Sequence, residues 1–390
     1  MNRIALIRSA SSPVSKNQYN IQEIGLAKEL VKNDMHVDVF LISDKDETYS
    51  EQMGIEERVT VYWLKGYKIP GQQGYYPDLK KILDRNHYDL IQALDDSQIT
   101  TVLVSSYARK NGIKFVLWQG MYENYPEKYK RIIQYVFDWT LLKILRKNTQ
   151  YCLAKTSSAK RYIESKRFPR AAVIPVGLEL SNFVGDTKID YREKLGIAES
   201  EKVLLYVGKV EERRKPLFCI DVFNKIKQNH PECCLVYVGK GPMLEEVHSY
   251  VKEKSIKGVH FVDFIQQKEL PSLYAMSDMF ILPTRYEIFG MVLMEAMYFG
   301  TPVITYAAAG PKDVIEKDVD GVIMDNFDAD RWAEKIEEHV FVKNDCEAMG
   351  REGRRKIMSK YLWQSVAEQY FEYYSGVVNG ITSSSEKVGG

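Results

Sequence analysis

The most informative stretch of this chain runs from residue 282 to residue 304 and reads LPTRYEIFGMVLMEAMYFGTPVI. Its pattern predicts a buried strand, a loop, a helix that begins near Phe289 and Gly290, a turn and a second strand. In an open α/β fold the start of such a helix lies at the carboxyl edge of the sheet, where ligands bind. Its free backbone N–H groups favour an anion. We therefore predict a diphosphate site here that needs no metal ion.

Two carboxylates accompany this helix, Glu287 in the loop before it and Glu295 two turns into it. Glu287 is placed to accept hydrogen bonds from sugar hydroxyls and Glu295 to hold a ribose diol. The pair would then bind the two sugars at either end of one diphosphate. For an isolated pair at this spacing, the simpler interpretation is a charge near a helix start and a solvated helix residue. The surrounding sequence has to decide between the two.

Short apolar runs, each ended by a turn or a helix start, occur throughout the chain and are typical of buried parallel strands. In the C-terminal half they lie at residues 203–207, 234–238, 259–262, 279–282 and 303–305. In the N-terminal half they lie at residues 4–7, 37–42, 59–63, 90–93, 115–118 and 171–174, with helical patterns at 21–30 and 98–111. The pattern predicts an α/β protein with two Rossmann-like units in tandem, each with a parallel sheet between helices.

Composition limits the class of protein. A chain of 390 residues is long enough for two cores, and 45% hydrophobic with 27% charged residues is the balance of a globular protein. A net charge of +1 creates no global positive field, so nucleic acid is not an expected partner. The five cysteines lack paired spacing, no secretory signal is visible, and no window approaches the ~20 apolar residues of a membrane span. We expect a cytoplasmic protein.

Residues 287–304 resemble the E-x7-E signature of the retaining glycosyltransferases of family 4, including the Glu295–Ala296 pair and the GTPV entry to the next strand. Further similar segments are LLYVGKV at 204–210, VYVGKGP at 236–242, LPSLYAMSD at 270–278 and DGV at 320–322. The N-terminal half contributes YNIQEIGLA at 19–27 and VIPVG at 173–177. The resemblance implies the GT-B architecture, two Rossmann-like domains with parallel sheets facing across a cleft.

The same resemblance implies a role for each part of the chain. Residues 1–177 would form the acceptor-binding domain and residues 178–360 the nucleotide-sugar-binding domain. Residues 361–380 would form a helix that crosses back to the first domain, and residues 381–390 a disordered tail.

The implied donor site combines cations with the predicted helix start. Lys209 and Lys215 match the basic pair that neutralises the donor phosphates in place of a metal, next to Gly208. However, RRKP at 213–216 stands where many members have one lysine followed by glycine, so either Arg214 or Lys215 is the phosphate ligand. A solvated basic turn is the alternative. The full predicted set is Glu287 as the catalytic residue, with Gly208, Lys209, Arg214, Lys215, Phe289, Gly290, Met291, Val292 and Glu295 as donor ligands.

On the acceptor side the chain departs from the family pattern. The first loop, SASSP at 9–13, lacks the usual glycine pair, and Gln119–Gly120 follows a strand where many members place a histidine. We take Ser12, Gln119 and Gly120 as acceptor-side candidates. A missing histidine base is compatible with a front-face retaining route, in which the departing phosphate oxygen takes the acceptor proton.

Three further segments need an interpretation. GKG at 239–241 lacks the third glycine of a dinucleotide-binding motif and predicts a tight turn. DAD at 328–330 has the spacing of a metal-binding triplet but predicts the start of a helix, so we assign no metal to it. Residues 125–147 mix basic and aromatic side chains at helical spacing. This helix either packs its apolar side into the N-terminal core or lies on an anionic membrane.

The function predicted from these residues is metal-independent, retaining transfer of a hexose-type sugar from a nucleotide-sugar donor, of the UDP or GDP type, to a saccharide or lipid-linked acceptor. Synthesis of cell-surface polysaccharide or glycoconjugates is the expected setting, and no cofactor is expected beyond the donor. Two alternative functions are compatible with the same fold. The first is another enzyme, either a nucleotide-sugar epimerase, which would need acid and base groups in its site, or a phosphorylase, which would need a pyridoxal-binding lysine in a longer chain. The second is a non-catalytic partner subunit.

Overall fold

A computed structural model describes residues 1–9, 14, 21–69, 73–184 and 189–381. The strands are β1 Arg3–Ile7, β2 His36–Ile42, β3 Tyr49–Met53, β4 Val59–Leu64, β5 Tyr67–Ile69, β6 Gln73–Tyr75, β7 Leu90–Leu94, β8 Lys114–Gln119, β9 Tyr151–Ala154, β10 Ala171–Val173, β11 Lys202–Val207, β12 Cys233–Val238, β13 Val259–Val262, β14 Met279–Leu282, β15 Val303–Tyr306 and β16 Gly321–Met324.

The helices are α1 Gln22–Leu30, α2 Leu79–Leu83, α3 Ile99–Lys110, α4 Lys128–Thr140, α5 Leu142–Asn148, α6 Ser157–Ser165, α7 Tyr191–Leu195, α8 Pro216–Asn229, α9 Leu244–Glu253, α10 Leu270–Ala275, α11 Met291–Tyr298, α12 Ala309–Val314, α13 Ala329–Glu337, α14 Cys346–Lys360 and α15 Trp363–Val378. The predicted disordered tail lies outside the described residues, apart from Ile381.

The chain divides into two compact units, Met1–Gly177 together with the segment that begins at Trp363, and Leu178–Leu362. In the first unit eight strands form one sheet in the order β10-β9-β8-β7-β1-β2-β4-β3. All neighbours are parallel except β3, which runs antiparallel to β4 at the edge. The parallel strands agree with the prediction apart from β9, which was not predicted. The antiparallel strand β3 was not predicted either, because its side chains alternate between exposed and half-buried and form no apolar run.

The second unit contains a fully parallel sheet in the order β13-β12-β11-β14-β15-β16. Its strands are almost entirely buried apolar runs, as in β12, where every residue is buried. The chain moves outward from β11 in one direction through β12 and β13, and in the other through β14 to β16. Between β11 and β14 lies the topological switch point, where open α/β sheets bind ligands outside the carboxyl ends of the strands.

Helix α15 completes the first unit although it follows the second unit in sequence. Its first residue, Trp363, packs on Gly25 of α1 and on Gly177: a Cβ at Gly25 would lie 2.2 Å from the Trp363 Nε1, and one at Gly177 2.5 Å from its ring. Further along, the Tyr374 hydroxyl donates a 2.6 Å hydrogen bond to the Gln92 Oε1 on β7. Within the described residues, the helices are all too short or too polar to cross a bilayer.

Candidate active site

The two segments that carry the predicted donor ligands follow β11 and β14, the strands on either side of the switch point. Gly208 comes directly after β11, and the loop 283–290 comes directly after β14. Because parallel strands end at the same edge of a sheet, the fold brings these segments together. The amide of Arg285 donates to the carbonyl of Arg213 at 3.1 Å, so the basic turn and the loop are joined.

The basic turn itself distinguishes Arg214 from Lys215. Residues Glu212–Arg214 form a 3₁₀ turn that ends at Lys215, whose φ of 50° and ψ of 53° lie in the left-handed region. This is the conformation that glycine adopts most readily. The Lys215 Nζ lies 5.6 Å from the centre of the Phe327 ring and 3.9 Å from Glu212 Oε1. Lys215 thus lies next to Phe327 and Glu212, whereas Arg214 lies next to Glu287.

The guanidinium of Arg214 is largely buried, and two of its nitrogens donate no hydrogen bond to any described residue. Only 13% of its side chain is exposed, and its Nε and Nη1 are buried without a hydrogen-bond partner among the described residues. The absence of a side chain at Gly208 makes room for it, since a Cβ there would lie 2.9 Å from Nη1. Buried donors of a charged group normally find partners, so this arginine is prepared for an anion.

Glu287 lies beside this arginine. Its Oε2 is 3.8 Å from Arg214 Nη2 and 4.0 Å from Arg213 Nη1, and 14% of its side chain is exposed. The loop is held on both sides of it, because Arg213 Nη1 donates to the carbonyl of Tyr286 at 2.9 Å and the amide of Gly310 donates to the carbonyl of Glu287 at 3.2 Å. The role of Arg213 was missed by sequence reasoning, which treated it only as part of a basic run.

Helix α11 begins at Met291, close to the predicted start, with Gly290 at its N-cap in the left-handed region at φ 89°. No side chain caps this end among the described residues, and the amides of Leu293 and Met294 both donate to the carbonyl of Gly290. The first amides of a helix have no intrahelical acceptor, so those of Met291 and Val292 are available to an anion. Phe289 is buried, in contact with Gly310.

Glu295 differs from the expectation of an accessible ribose ligand, because its side chain is completely buried. The Tyr274 hydroxyl donates to its Oε2 at 3.0 Å, while Oε1 has no partner among the described residues. Burial raises the pKa of this carboxyl well above its usual range. A ribose would reach it only after neighbouring side chains move. Lys209 points to solvent instead, with 64% of its side chain exposed and its Nζ 2.9 Å from Glu211.

Two of the three acceptor-side candidates, Gln119 and Gly120, lie in the first unit at the carboxyl end of β8. Gln119 is fully buried and fully engaged: its Oε1 accepts from the amide of Asp96, and its Nε2 donates to Asp96 Oδ1 and to the carbonyl of Met121. Asp95 accepts from the amides of Gly120 and Met121 at 2.7 and 3.1 Å. Hydrogen bonds to Asp95 and Asp96 thus fix the positions of both Gln119 and Gly120. Ser12 lies outside the described residues.

Sequence reasoning missed a buried charged cluster at the same edge of this sheet. Lys155 follows β9, its Nζ donates to Gln22 Oε1 at 2.9 Å, and it lies 3.9 Å from the centre of the Trp118 ring. Burial lowers the pKa of Lys155 to about 8, although the nearby carboxylate of Glu23 acts in the opposite direction and raises it. Glu23 itself pairs with Arg8. A charged residue directly after an apolar strand was the available signal.

One subsidiary prediction is confirmed. Asp328 is the N-cap of α13 and accepts from the amides of Asp330 and Arg331 at 3.1 and 3.3 Å, so the DAD triplet starts a helix. The predicted tight turn at 239–241 is not formed; Gly239 instead packs against the backbone of Gly208, where a Cβ would be 1.9 Å from the Gly208 carbonyl oxygen. In the part of the chain that the structure describes, no three His, Cys, Asp or Glu side chains cluster as a metal site would require.

Two Rossmann-like units, each built on a parallel or mainly parallel sheet, define a GT-B fold. Solved structures agree with this class. Sucrose-phosphate synthase from Thermosynechococcus elongatus superimposes with a TM-score of 0.77 at 20% identity, covering 97% of this chain and 100% of that one. Anabaena HepE in complex with UDP-glucose gives a TM-score of 0.72 at 17% identity, covering 96% and 99%.

The family follows from matches in each unit. Residues 187–356 match the family described as "Glycosyl transferases group 1", and residues 24–182 match "Glycosyltransferase Family 4". The chain belongs to the family 4-like glycosyltransferases. Spore coat protein SA of Bacillus subtilis (strain 168) is 30% identical over 194 aligned residues, and the match covers 47% of this chain and 51% of that protein. The chain spans about half the length of the curated relatives it matches.

Proposed function

We propose that the protein transfers a hexose-type sugar from a nucleoside diphosphate sugar to a saccharide or lipid-linked acceptor, with retention of anomeric configuration and without a metal ion. The reaction would take place in the cytoplasm, in the synthesis of cell-surface polysaccharide or glycoconjugates. The observation that carries the proposal is the guanidinium of Arg214, buried beside Glu287 with two nitrogens that have no hydrogen-bond partner among the described residues.

A diphosphate is the anion that fits these groups best. It offers several oxygens to Arg214 from one side and to the amides of Met291 and Val292 from the other, and it needs the neutralisation that a metal supplies elsewhere. The positive end of α11 adds to this field. A carboxylate ligand would leave part of this donor set unsatisfied.

Each residue then has a defined part in the transfer. The bond between the anomeric carbon and the phosphate oxygen breaks, the acceptor oxygen bonds to the same face of that carbon, and the acceptor proton passes to the departing phosphate oxygen. Arg214 and the helix amides stabilise the charge that develops on the diphosphate. Glu287 accepts hydrogen bonds from sugar hydroxyls and positions the ring. Glu295 is proposed as the ribose ligand after side-chain rearrangement.

The comparisons support this proposal at the level of substrate class. The HepE structure similar to this one contains UDP-glucose. A related Mycobacterium tuberculosis protein, 24% identical over 213 residues, is named a GDP-mannose-dependent mannosyltransferase that acts on a phosphatidylinositol monomannoside. A UDP or GDP donor and a saccharide or lipid-linked acceptor are therefore the first substrates to examine.

The test begins with nucleotide binding. Thermal melting with UDP, GDP, ADP and CMP should identify the base, because a ligand present at 100 times its Kd stabilises the folded protein by about 2.7 kcal/mol. The matching nucleotide sugars are then assayed for transfer and for slow hydrolysis, which a non-catalytic subunit would not show. Failure of every nucleotide to bind would refute the proposal.

Glu287→Ala tests the site itself. We expect it to lower transfer by at least ~10²-fold while the protein remains folded, because it removes contacts to the reacting sugar. Glu337→Ala is a matched control, since Glu337 lies on α13 with 22% of its side chain exposed, comparable to the 14% of Glu287. Full activity of Glu287→Ala would show that the donor sugar binds elsewhere.

A further inference from the structure

Helix α4 exposes an apolar face to solvent, and the opposite face of the helix packs on the first unit. Five large apolar side chains on it, Tyr129, Ile132, Tyr135, Val136 and Trp139, are each between 56% and 73% exposed. They recur three or four residues apart, so they form one continuous stripe along the helix, called the α4 stripe below. The buried residues of this helix are Gln134 and Phe137. The apolar stripe therefore does not serve the core of the first unit.

Contacts on the inner side fix this orientation. Gln134 accepts from the amide of Tyr125 at 3.1 Å and donates to the Tyr162 hydroxyl at 3.0 Å. Asp138 pairs with Lys166 at 3.1 Å. Rotating the helix to bury the stripe would break these bonds and expose Phe137, so the outward direction of the stripe is built into the fold.

The charges around the stripe are mostly positive. Residues 127–147 contain six basic side chains and two acidic ones, Glu127, which pairs with Lys130, and Asp138, which pairs with Lys166. Lys128 and Arg131 are exposed on α4, and Lys143 places its Nζ 5.6 Å from the centre of the Trp139 ring. The surface is thus an apolar stripe with a cationic border, which complements an apolar layer beneath anionic groups.

We propose that the α4 stripe lies in the headgroup boundary of an anionic membrane, with its tryptophan, tyrosines and aliphatic side chains among the acyl chain ends and its lysines and arginine at the lipid phosphates. Tryptophan and tyrosine favour this boundary because one end of each ring system is polar. A second copy of the chain is a poorer partner, since a two-fold contact through the stripe would bring the cationic border of one copy against the same cationic border of the other. The α4 stripe belongs to the first unit and the donor-site residues to the second, so the membrane proposal does not depend on the proposed sugar transfer.

The experiment uses the full-length protein and vesicle flotation. Vesicles of phosphatidylcholine alone are compared with vesicles that also contain about 30 mol% phosphatidylglycerol. We expect binding to the anionic vesicles, weakened by about 0.5 M salt because screening removes the attraction of the cations. Ile132→Ser/Trp139→Ser should reduce the bound fraction at least ~10-fold, since two inserted apolar side chains are lost.

A matched control replaces exposed apolar side chains elsewhere. Phe264→Ser/Val342→Ser changes two residues that are 71% and 78% exposed in the second unit, and it should bind vesicles like the parent. Both double variants should melt at the parent's temperature. Because Trp139 is the only exposed tryptophan of the five, all of which are described, brominated lipid should quench the parent's fluorescence but not that of Trp139→Phe.

Three outcomes would overturn the proposal. The parent would fail to float with anionic vesicles, or Ile132→Ser/Trp139→Ser would float as well as the parent. In the third, sedimentation without lipid would show a dimer that the same double variant abolishes, which would assign the stripe to a second copy.

Discussion

Replacing Arg214 by methionine removes the guanidinium from the basic turn and keeps an unbranched side chain. In the nucleotide-free protein this change deletes two buried nitrogens for which the described part of the chain offers no hydrogen-bond partner. An unsatisfied buried polar group costs about 1–3 kcal/mol, whereas the attraction to Glu287 across 3.8 Å contributes about 0–1 kcal/mol. We therefore expect the nucleotide-free variant to be as stable as the parent or more stable.

The effect on catalysis has the opposite sign. Nε and Nη1 would both donate to the diphosphate, and a hydrogen bond to a charged group contributes about 1.5–3 kcal/mol. Losing two of them raises the barrier by about 3–6 kcal/mol, which corresponds to a fall in kcat/KM of ~10²- to 10⁴-fold. A residue with a purely structural role would lower stability and activity together.

The assay measures kcat/KM for the donor and calorimetric melting without nucleotide for the parent, Arg214→Met and Lys215→Met. Lys215→Met should lose much less activity, because its Nζ lies near Phe327 and Glu212. The reasoning fails if Arg214→Met stays within a factor of three of the parent, or if Lys215→Met is the more damaging change. It also fails if Arg214→Met melts well below the parent.

Two further predictions concern stability. Burial raises the pKa of the Glu295 carboxyl above its ordinary value of 4.5, so the folded state is favoured while this carboxyl is protonated and loses stability as the pH rises above 4.5. In urea unfolding, Glu295→Gln should therefore gain stability relative to the parent from pH 5 to pH 8. A difference in stability that does not change with pH would contradict this prediction. Gly25→Ala would place a methyl group 2.2 Å from the Trp363 Nε1 and should cost about 1–3 kcal/mol in the same assay. Gly353→Ala, with its nearest neighbour at 3.4 Å, is the control and should be neutral or stabilising.

The sequence predicted most of the two sheets because buried parallel strands are continuous apolar runs that end at a turn. Among the strands of the two sheets it missed β3, a half-exposed edge strand, β9, a four-residue run between helices, and β16, a four-residue edge strand. All three are stabilised by pairing with other strands, which local pattern does not encode.

The site was predictable in its segments but not in its detail. The choice between Arg214 and Lys215 depends on the left-handed backbone of Lys215, and the burial of Glu295 depends on the packing of α10 against α11. The periodicity of residues 125–147 showed an apolar face, but only the neighbours of α4 decide which face is covered.

The position of α15 has a consequence for how the protein forms during synthesis. The core of the first unit includes Trp363, Tyr370 and Tyr374, all buried, which leave the ribosome only after every residue of the second unit. The second unit is continuous in sequence and is free to fold as soon as it has emerged. The half of the chain made first is therefore the last to be finished, because the surface of α1 that packs on Trp363 stays uncovered until α15 has been made.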